Sequence, residues 1–117
     1  MKVCKIFRFD AAHFLPNYDG KCKNMHGHGW VLEVEVEGPV YASGMVIDFA
    51  MLKSVVNKNV IEHLDHQLLN DIIDLPTCEN ILLWVAERLL LGSPSHLCRL
   101  RLYETPDSFA EEVYNAE

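Results

Sequence analysis

The sequence predicts an α+β fold in which a four-stranded antiparallel sheet carries two helices on one face. Residues 30–37 and 97–104 alternate between apolar and charged side chains, which is typical of strands with one covered face. Residues 48–63 and 77–92 instead carry apolar stripes at helical spacing. With a further strand at each end, the order is β-β-α-α-β-β, which packs as two layers. The length of 117 residues predicts one domain, residues 1–117.

The first two strands are expected to place three histidines on the covered face. Residues 3–9 alternate, and if this strand stays extended, His13 shares the face of its aromatic residues. In the second strand, counting back by twos from the apolar residues reaches His28 and His26. Residues 16–20, Pro-Asn-Tyr-Asp-Gly, predict a loop between the two strands.

Both helices have sequence signals at their ends. Asp48 is the expected N-cap of a helix that reaches about His63, and Thr77 is the expected N-cap of the second helix. Gly92 lies where a C-terminal glycine is favoured. The two predicted apolar stripes are Phe49, Leu52, Val55, Val56 and Val60, and then Leu82, Val85, Ala86 and Leu89.

The last strands bring a carboxylate to the apolar face. Residues 97–104 place Cys98, Leu100 and Leu102 inward, and Glu104 is in phase with them. A buried carboxylate needs a partner. That partner is either a residue of the chain, in an internal ion pair, or a ligand with paired N–H donors. Residues 109–113 predict a short final strand.

Composition excludes several functional classes. The net charge of −7 argues against a nucleic-acid surface, and no apolar stretch approaches the roughly 20 residues of a membrane span. The N-terminal segment alternates, unlike a signal peptide. The four cysteines show no close pairing, which favours a reducing, cytoplasmic location. Because a chain this short has a shallow core, a deep pocket is more easily built between subunits.

The three histidines are the strongest functional signal. A lone histidine or an isolated His-x-His is usually not a metal site. Here His26 and His28 are in phase with an apolar face, and His13 lies on the neighbouring strand. Three protein ligands with an open position are typical of catalytic zinc. The sequence leaves iron, nickel and copper open as alternatives.

Two further groups are candidates for proton transfer. Cys22 lies in a polar loop between Lys21 and Lys23, where flanking cations and a nearby metal favour the thiolate. A small buried hydrophobic residue is the alternative for this cysteine. Asp65 and His66 form either a carboxylate–imidazole pair for acid–base chemistry or a solvated helix end.

Six short segments carry a family resemblance that covers essentially the whole chain. Together they resemble the 6-pyruvoyl-tetrahydropterin synthase and 6-carboxytetrahydropterin synthase family. The segments are Phe9-Asp10-Ala11-Ala12-His13, residues 22–28, Gly44-Met45-Val46-Ile47-Asp48-Phe49, residues 64–70, Pro76-Thr77-Cys78-Glu79-Asn80 and Tyr103-Glu104-Thr105.

The resemblance implies a tunnelling fold, in which subunits join their sheets into a trimeric barrel and two trimers stack into a homohexamer. Active sites would then lie between subunits. It implies zinc on His13, His26 and His28. It also implies a catalytic thiol at Cys22, with His66 and Asp65 as the acid–base partner from across the interface. Glu104 would anchor a pterin ring, and Thr105 belongs to the same binding segment.

The spacing of the cysteine and the histidines narrows the implied reaction. Three residues separate Cys22 from His26, as in the 6-carboxytetrahydropterin synthases of queuosine (7-deazapurine) biosynthesis. The implied reaction converts 7,8-dihydroneopterin triphosphate to 6-carboxytetrahydropterin, acetaldehyde and triphosphate. The alternatives are a 6-pyruvoyl-tetrahydropterin synthase, which only eliminates triphosphate, and a non-catalytic zinc- or pterin-binding protein. The acidic net charge is unexpected for a triphosphate substrate, unless Lys21 and Lys23 supply local positive charge or the triphosphate faces solvent.

Overall fold

A five-stranded mixed sheet forms one layer of the described part of the chain. The computed structural model describes residues 1–16, 19–20, 23–92 and 96–114. The strand order is β3-β1-β2-β4-β5, and all neighbours are antiparallel except β3, which runs parallel to β1. The strands are β1 (Lys2–His13), β2 (His26–Glu37), β3 (Gln67–Leu68), β4 (His96–Thr105) and β5 (Ser108–Val113).

The prediction of four antiparallel strands is therefore wrong in one respect, because it misses β3. At His66 the backbone adopts a left-handed conformation with φ 59°, which turns the chain out of the preceding helix. The His66 N–H donates to the Asp10 carbonyl at 2.7 Å, and β3 then pairs with Ala11 and Ala12. A strand of two residues is too short to show alternation, so the hydrophobic period could not predict it.

The covered face of the sheet matches the predicted alternation. On β1 and β2 the inward positions run without interruption from the core to the histidines, and His13 is fully buried. The β1–β2 register pairs Phe7 with Leu32 and Phe9 with Trp30. The buried apolar residues of these two strands are Phe7, Phe9, Ala11, Trp30, Leu32, Val34 and Val36.

The helices cover this face and begin at the predicted caps. The Asp48 carboxylate accepts from the Ala50 N–H at 2.8 Å, and the Thr77 hydroxyl accepts from the Asn80 N–H at 3.1 Å. Phe49 is 47% exposed, so its predicted place in the first apolar stripe is wrong. No described helix is long and apolar enough to cross a membrane. The helices are α1 (Phe49–Val56), α2 (Glu62–Leu64) and α3 (Cys78–Gly92).

A π-helical turn, Asn57–Ile61, joins α1 to α2 and keeps the apolar stripe on one face. The buried residues Leu52, Val56, Val60 and Leu64 recur every four residues. In an α-helix of 3.6 residues per turn, each such step drifts by ~40° around the axis. The wider π turn rotates less per residue and offsets this drift. The helical segment therefore keeps its apolar side chains on the sheet as far as Leu64.

A bulge in β4 changes which residue enters the core. The register between β2 and β4 shifts between Glu35 and Val36, so Leu97 pairs with Val36. Leu97 joins the core cluster, whereas the Cys98 thiol lies 3.4 Å from the Glu35 carbonyl and carboxylate. Cys98 is 4% exposed, so its predicted inward position is confirmed, but the bulge leaves its thiol beside Glu35 and outside the apolar cluster. Beyond an extra residue in a strand, inward and outward side chains change places. The alternation in the sequence does not show where such a residue lies.

The two faces of α3 give a direct test of this packing. Leu82 is 2% exposed and Leu83 is 54% exposed. We expect Leu82→Ala to lower the free energy of unfolding by about 2–5 kcal/mol, since it leaves a cavity in the core. Leu83→Ala, the same change one residue away, should alter it by no more than about 0.5 kcal/mol. Urea unfolding measures both, and equal losses would contradict the placement of this helix.

Candidate metal centre

Three histidines converge where β1 and β2 end their ladder. His13 pairs directly with His26, and His28 lies opposite Ala11. One ring nitrogen from each histidine lies within 4.8 Å of the other two. His13 is buried, and the other two are partly buried. The structure thus confirms that the three predicted ligand residues share one face and one location.

Backbone carbonyls hold two of the rings in a ligating orientation. The Nδ1 of His13 lies 2.7 Å from the Pro76 carbonyl, and the Nδ1 of His26 lies 2.7 Å from the Asn24 carbonyl. A carbonyl can only accept, so each Nδ1 carries a proton, and in the neutral ring the Nε2 presents a lone pair to the cluster. This is the usual second contact of metal-binding histidines.

Two nitrogens of the cluster have unmet hydrogen-bonding capacity. The Nε2 atoms of His13 and His28 are buried and have no hydrogen-bond partner among the described residues. A buried polar atom without a partner is costly, and a bound ion or ligand would satisfy these two atoms. The donor set therefore fits a metal ion.

Trp30 forms an apolar floor beneath this cluster. Its ring lies edge-on to His13 at 5.1 Å and to His28 at 5.4 Å between centroids, and its Nε1–H donates to the Ala11 carbonyl at 3.2 Å. Burial lowers the pKa of His28, and the neighbouring His13 and His26 add to the effect against the opposing charge of Glu104. A lowered pKa keeps this imidazole neutral, which is the form that binds metal.

Glu104 faces the histidines, as its phase in β4 predicts. Its Oε1 lies 3.2 Å from the His13 Nε2 and 3.7 Å from the His28 Nε2, and its side chain is 28% exposed. The same side chain lines a cavity of about 310 Å³ together with Cys78, Glu79 and residues 108–110. The carboxylate thus stands between the metal centre and this cavity.

Asp65 and His66 contact each other but not the histidine cluster. The His66 Nε2 lies 3.6 Å from the Asp65 carboxylate, which also accepts the Asp10 N–H at 3.0 Å. The His66 side chain is 79% exposed, and in the described part of the chain its ion-pair contact is with Asp65. The pair therefore projects from the surface, beside a cavity of about 640 Å³ that His66 and His28 both line.

Two other predicted site residues have different positions. Cys22 and the neighbouring Lys21 lie outside the described residues. Thr105 points away from Glu104: its hydroxyl donates to Asp107 at 2.7 Å, and it lines a separate cavity with Tyr103 and Pro106. The structure brings Glu104 to His13 and His28 and leaves Thr105 on the opposite side.

Sequence reasoning missed the groups that orient the site. Asn70 is one of them: its amide accepts from the Phe14 N–H at 3.0 Å and donates to the Phe14 carbonyl at 2.9 Å, which fixes the chain just after His13. The Pro76 carbonyl is another, and a backbone acceptor leaves no signal in the sequence. Asn70 belongs to one of the family segments, but an asparagine at this position does not by itself predict hydrogen bonds to the Phe14 backbone.

Comparison with known proteins identifies the family. A family model described as 6-pyruvoyl tetrahydropterin synthase matches residues 2–115. The chain belongs to the 6-pyruvoyl tetrahydropterin synthase family. A 6-carboxy-5,6,7,8-tetrahydropterin synthase from Haemophilus influenzae is 37% identical over 136 residues, covering 94% of this chain and 96% of the relative. This confirms the resemblance, and the chain is an enzyme of this pterin-synthase family.

Two further relatives bear on fold and reaction. The solved structure of 6-pyruvoyl tetrahydropterin synthase from Caenorhabditis elegans superposes with a TM-score of 0.87 at 29% identity, covering 98% of this chain and 96% of that one. A dihydroneopterin monophosphate aldolase from Pyrococcus furiosus is 45% identical over 108 residues, covering 89% of this chain and 91% of the relative. The family therefore shares this α+β fold, and the named reactions of its members differ.

Metal analysis of histidine variants tests the centre. We expect His26→Ala to weaken binding of a divalent metal by more than about 100-fold, because even second contacts of ligands are worth about 10–100-fold. His96→Ala serves as the control, since His96 is exposed at the start of β4. Competition with a chromophoric chelator measures both affinities. Equal metal binding by the two variants would refute the assignment of the three histidines.

Proposed function

We propose that the chain is a zinc-dependent lyase of queuosine (7-deazapurine) biosynthesis. It would convert 7,8-dihydroneopterin triphosphate and water to 6-carboxy-5,6,7,8-tetrahydropterin, acetaldehyde and triphosphate. The observation that carries the proposal is the convergence of His13, His26 and His28, with two buried Nε2 atoms free to bind a cation. Membership of a pterin-synthase family supplies the substrate class.

Zinc is the proposed ion because the donor set consists of imidazoles. Three imidazole ligands with an open fourth position are typical of catalytic zinc sites. When bound, zinc would polarise the side-chain oxygens of the substrate and acidify the adjacent C–H. The chain's own contribution is to fix the three rings, through the Pro76 and Asn24 carbonyls and the Trp30 floor.

Cys22 and His66 are the proposed proton-transfer groups. The role of Cys22 rests on the family resemblance and on its place four residues before His26. His66 has the features of an acid–base group, since its imidazole is exposed and lies against a carboxylate that the Asp10 N–H holds in place. A left-handed backbone at a non-glycine residue is a strained arrangement of the kind found at functional sites.

We further propose that active sites form between subunits. His66 projects from the surface without contacting the metal ligands of its own chain in the described residues. In a trimer, or in a hexamer of two trimers, the His66 imidazole of one subunit would reach the metal centre of a neighbouring subunit. The barrel of a tunnelling fold would place the sheets edge to edge in such an assembly.

Glu104 and Thr105 are the proposed pterin-binding residues. The Glu104 carboxylate borders the 310 Å³ cavity, where it could accept paired N–H donors from the edge of a pterin ring. Charge-assisted hydrogen bonds of this type are stronger than neutral ones. In the described structure the Thr105 hydroxyl already donates to Asp107, so its part in binding would require a change of partner.

A second candidate is an aldolase acting on dihydroneopterin monophosphate. The 45% identity to the relative of that name favours it, and a monophosphate suits a chain of net charge −7 better than a triphosphate does. An aldol cleavage would break the bond between the first two side-chain carbons, leaving a 6-hydroxymethyl pterin and releasing the other two carbons as glycolaldehyde phosphate. The same metal ligands and proton-transfer residues would serve this reaction.

Product analysis decides between these reactions. We expect the zinc-loaded protein to convert 7,8-dihydroneopterin triphosphate to 6-carboxytetrahydropterin and acetaldehyde, detected by mass spectrometry. A parallel incubation with dihydroneopterin monophosphate tests for 6-hydroxymethyl-7,8-dihydropterin, which would establish the aldolase instead. A 6-pyruvoyl product would show triphosphate elimination alone. No product from either substrate would favour a binding protein without turnover.

A pair of cysteine variants tests the proposed thiol. Cys22→Ala should reduce turnover by at least about 100-fold, the lower range for a general acid or base, and leave zinc content unchanged. Cys4→Ala is the matched control, because Cys4 lies on β1, where partial burial of the thiol and the nearby Glu33 raise its pKa. Turnover and bound zinc are measured on the same preparations. Full turnover by the Cys22 variant would remove this residue from the mechanism.

A further inference from the structure

The Glu104 carboxylate lies about as far from two of the three histidines, His13 and His28, as metal ligands lie from each other. Its Oε1 is 3.2 Å from the His13 Nε2 and 3.7 Å from the His28 Nε2. Ligands bound tetrahedrally to zinc at 2.0–2.1 Å are separated from one another by ~3.3 Å. The carboxylate oxygen therefore occupies the region where a fourth ligand would lie.

The contact between Glu104 and His13 needs a positive charge to be stable. The Pro76 carbonyl fixes the His13 proton on Nδ1, so the Nε2 of the neutral ring carries a lone pair. A carboxylate oxygen is also an acceptor, and two acceptors 3.2 Å apart repel each other unless they share a proton or a metal ion. No aligned hydrogen bond joins them, because the His13 Nε2 remains without a hydrogen-bond partner in the described part of the chain. A metal ion bound by both atoms accounts for this geometry.

We propose that Glu104 is the fourth metal ligand in the ligand-free protein, so that the chain closes its own metal site. The inference rests on the metal centre of the proposed function and deepens it. It assigns Glu104 a role in the absence of substrate, whereas pterin anchoring concerns the bound state.

The position of Glu104 allows it to exchange partners. It lies near the end of β4, it is 28% exposed, and its cavity side adjoins Cys78 and Phe109. A carboxylate at the border of a cavity can turn from the metal towards N–H donors that enter that cavity. Ligand binding would then open the fourth metal position, and loss of the ligand would close it. The same carboxylate serves both partners, one at a time.

Cobalt substitution tests the proposal with readouts other than activity. Metal-free wild-type protein, Glu104→Gln and Glu79→Gln are loaded with Co²⁺, and affinity is measured by chelator competition. Glu79 lines the same cavity and has no ion pair with the three histidines in the described structure, so its variant is the matched control. We expect Glu104→Gln to weaken cobalt binding at least about tenfold and Glu79→Gln to leave it unchanged.

The visible spectrum of the bound cobalt gives an independent measurement. In Glu104→Gln a water takes the fourth position, and ionisation of metal-bound water at pH ~7–9 should make the spectrum depend on pH. The wild-type and Glu79→Gln spectra should stay constant over this range. The thermal midpoint of the metal-free proteins checks folding, and the wild-type spectrum alone remains decisive if the Glu104 variant does not fold.

The outcomes separate this inference from the function on which it rests. A wild-type spectrum that titrates, or equal cobalt affinity of wild type and Glu104→Gln, would show that Glu104 is only a neighbour of the histidines. The three-histidine metal centre would stand in that case. Wild-type protein that binds no cobalt would overturn the metal centre and this inference together.

Discussion

The register of the β1–β2 ladder is the constraint on which the rest of the structure depends. It pairs Phe9 with Trp30 and His13 with His26, so one face of two strands runs from the hydrophobic core to the metal centre. A slip of one residue would turn every one of these side chains to the opposite face. The burial of Trp30 and Leu32 therefore fixes the position of the histidines as well as the stability of the sheet.

The helical layer serves this centre through its backbone. The Pro76 carbonyl, just before α3, orients His13, and the Thr77 hydroxyl caps the helix that follows. Because α3 packs on the sheet through its own apolar stripe, the depth of that packing also sets the position of the carbonyl. Core packing and ligand orientation are thus two results of one interface.

Much of this arrangement could be predicted from the sequence, because it follows from periodicity. The strands, the shared face of the histidines and the inward phase of Glu104 follow from an interval of 2 residues, and the helix stripes from one of 3.6. The helix caps follow from residue type at Asp48 and Thr77. Features that interrupt the regular alternation could not be predicted in this way. The bulge at Cys98 and the left-handed turn at His66 are of this kind, and the Pro76 carbonyl belongs to no side-chain pattern at all. The alternation along β4 predicts that Glu104 faces inward, but it does not predict how close its carboxylate lies to His13.

The placement of all three histidines between residues 13 and 28 has a consequence for how the chain folds. The two strands that carry them are neighbours in sequence, and closing a short loop costs little conformational entropy. A hairpin of this kind is a local structure, formed without waiting for distant parts of the chain. The carbonyl of Pro76 arrives only when α3 docks. The three imidazoles can therefore come together within the hairpin, whereas the contact that orients the His13 ring also needs the segment before α3.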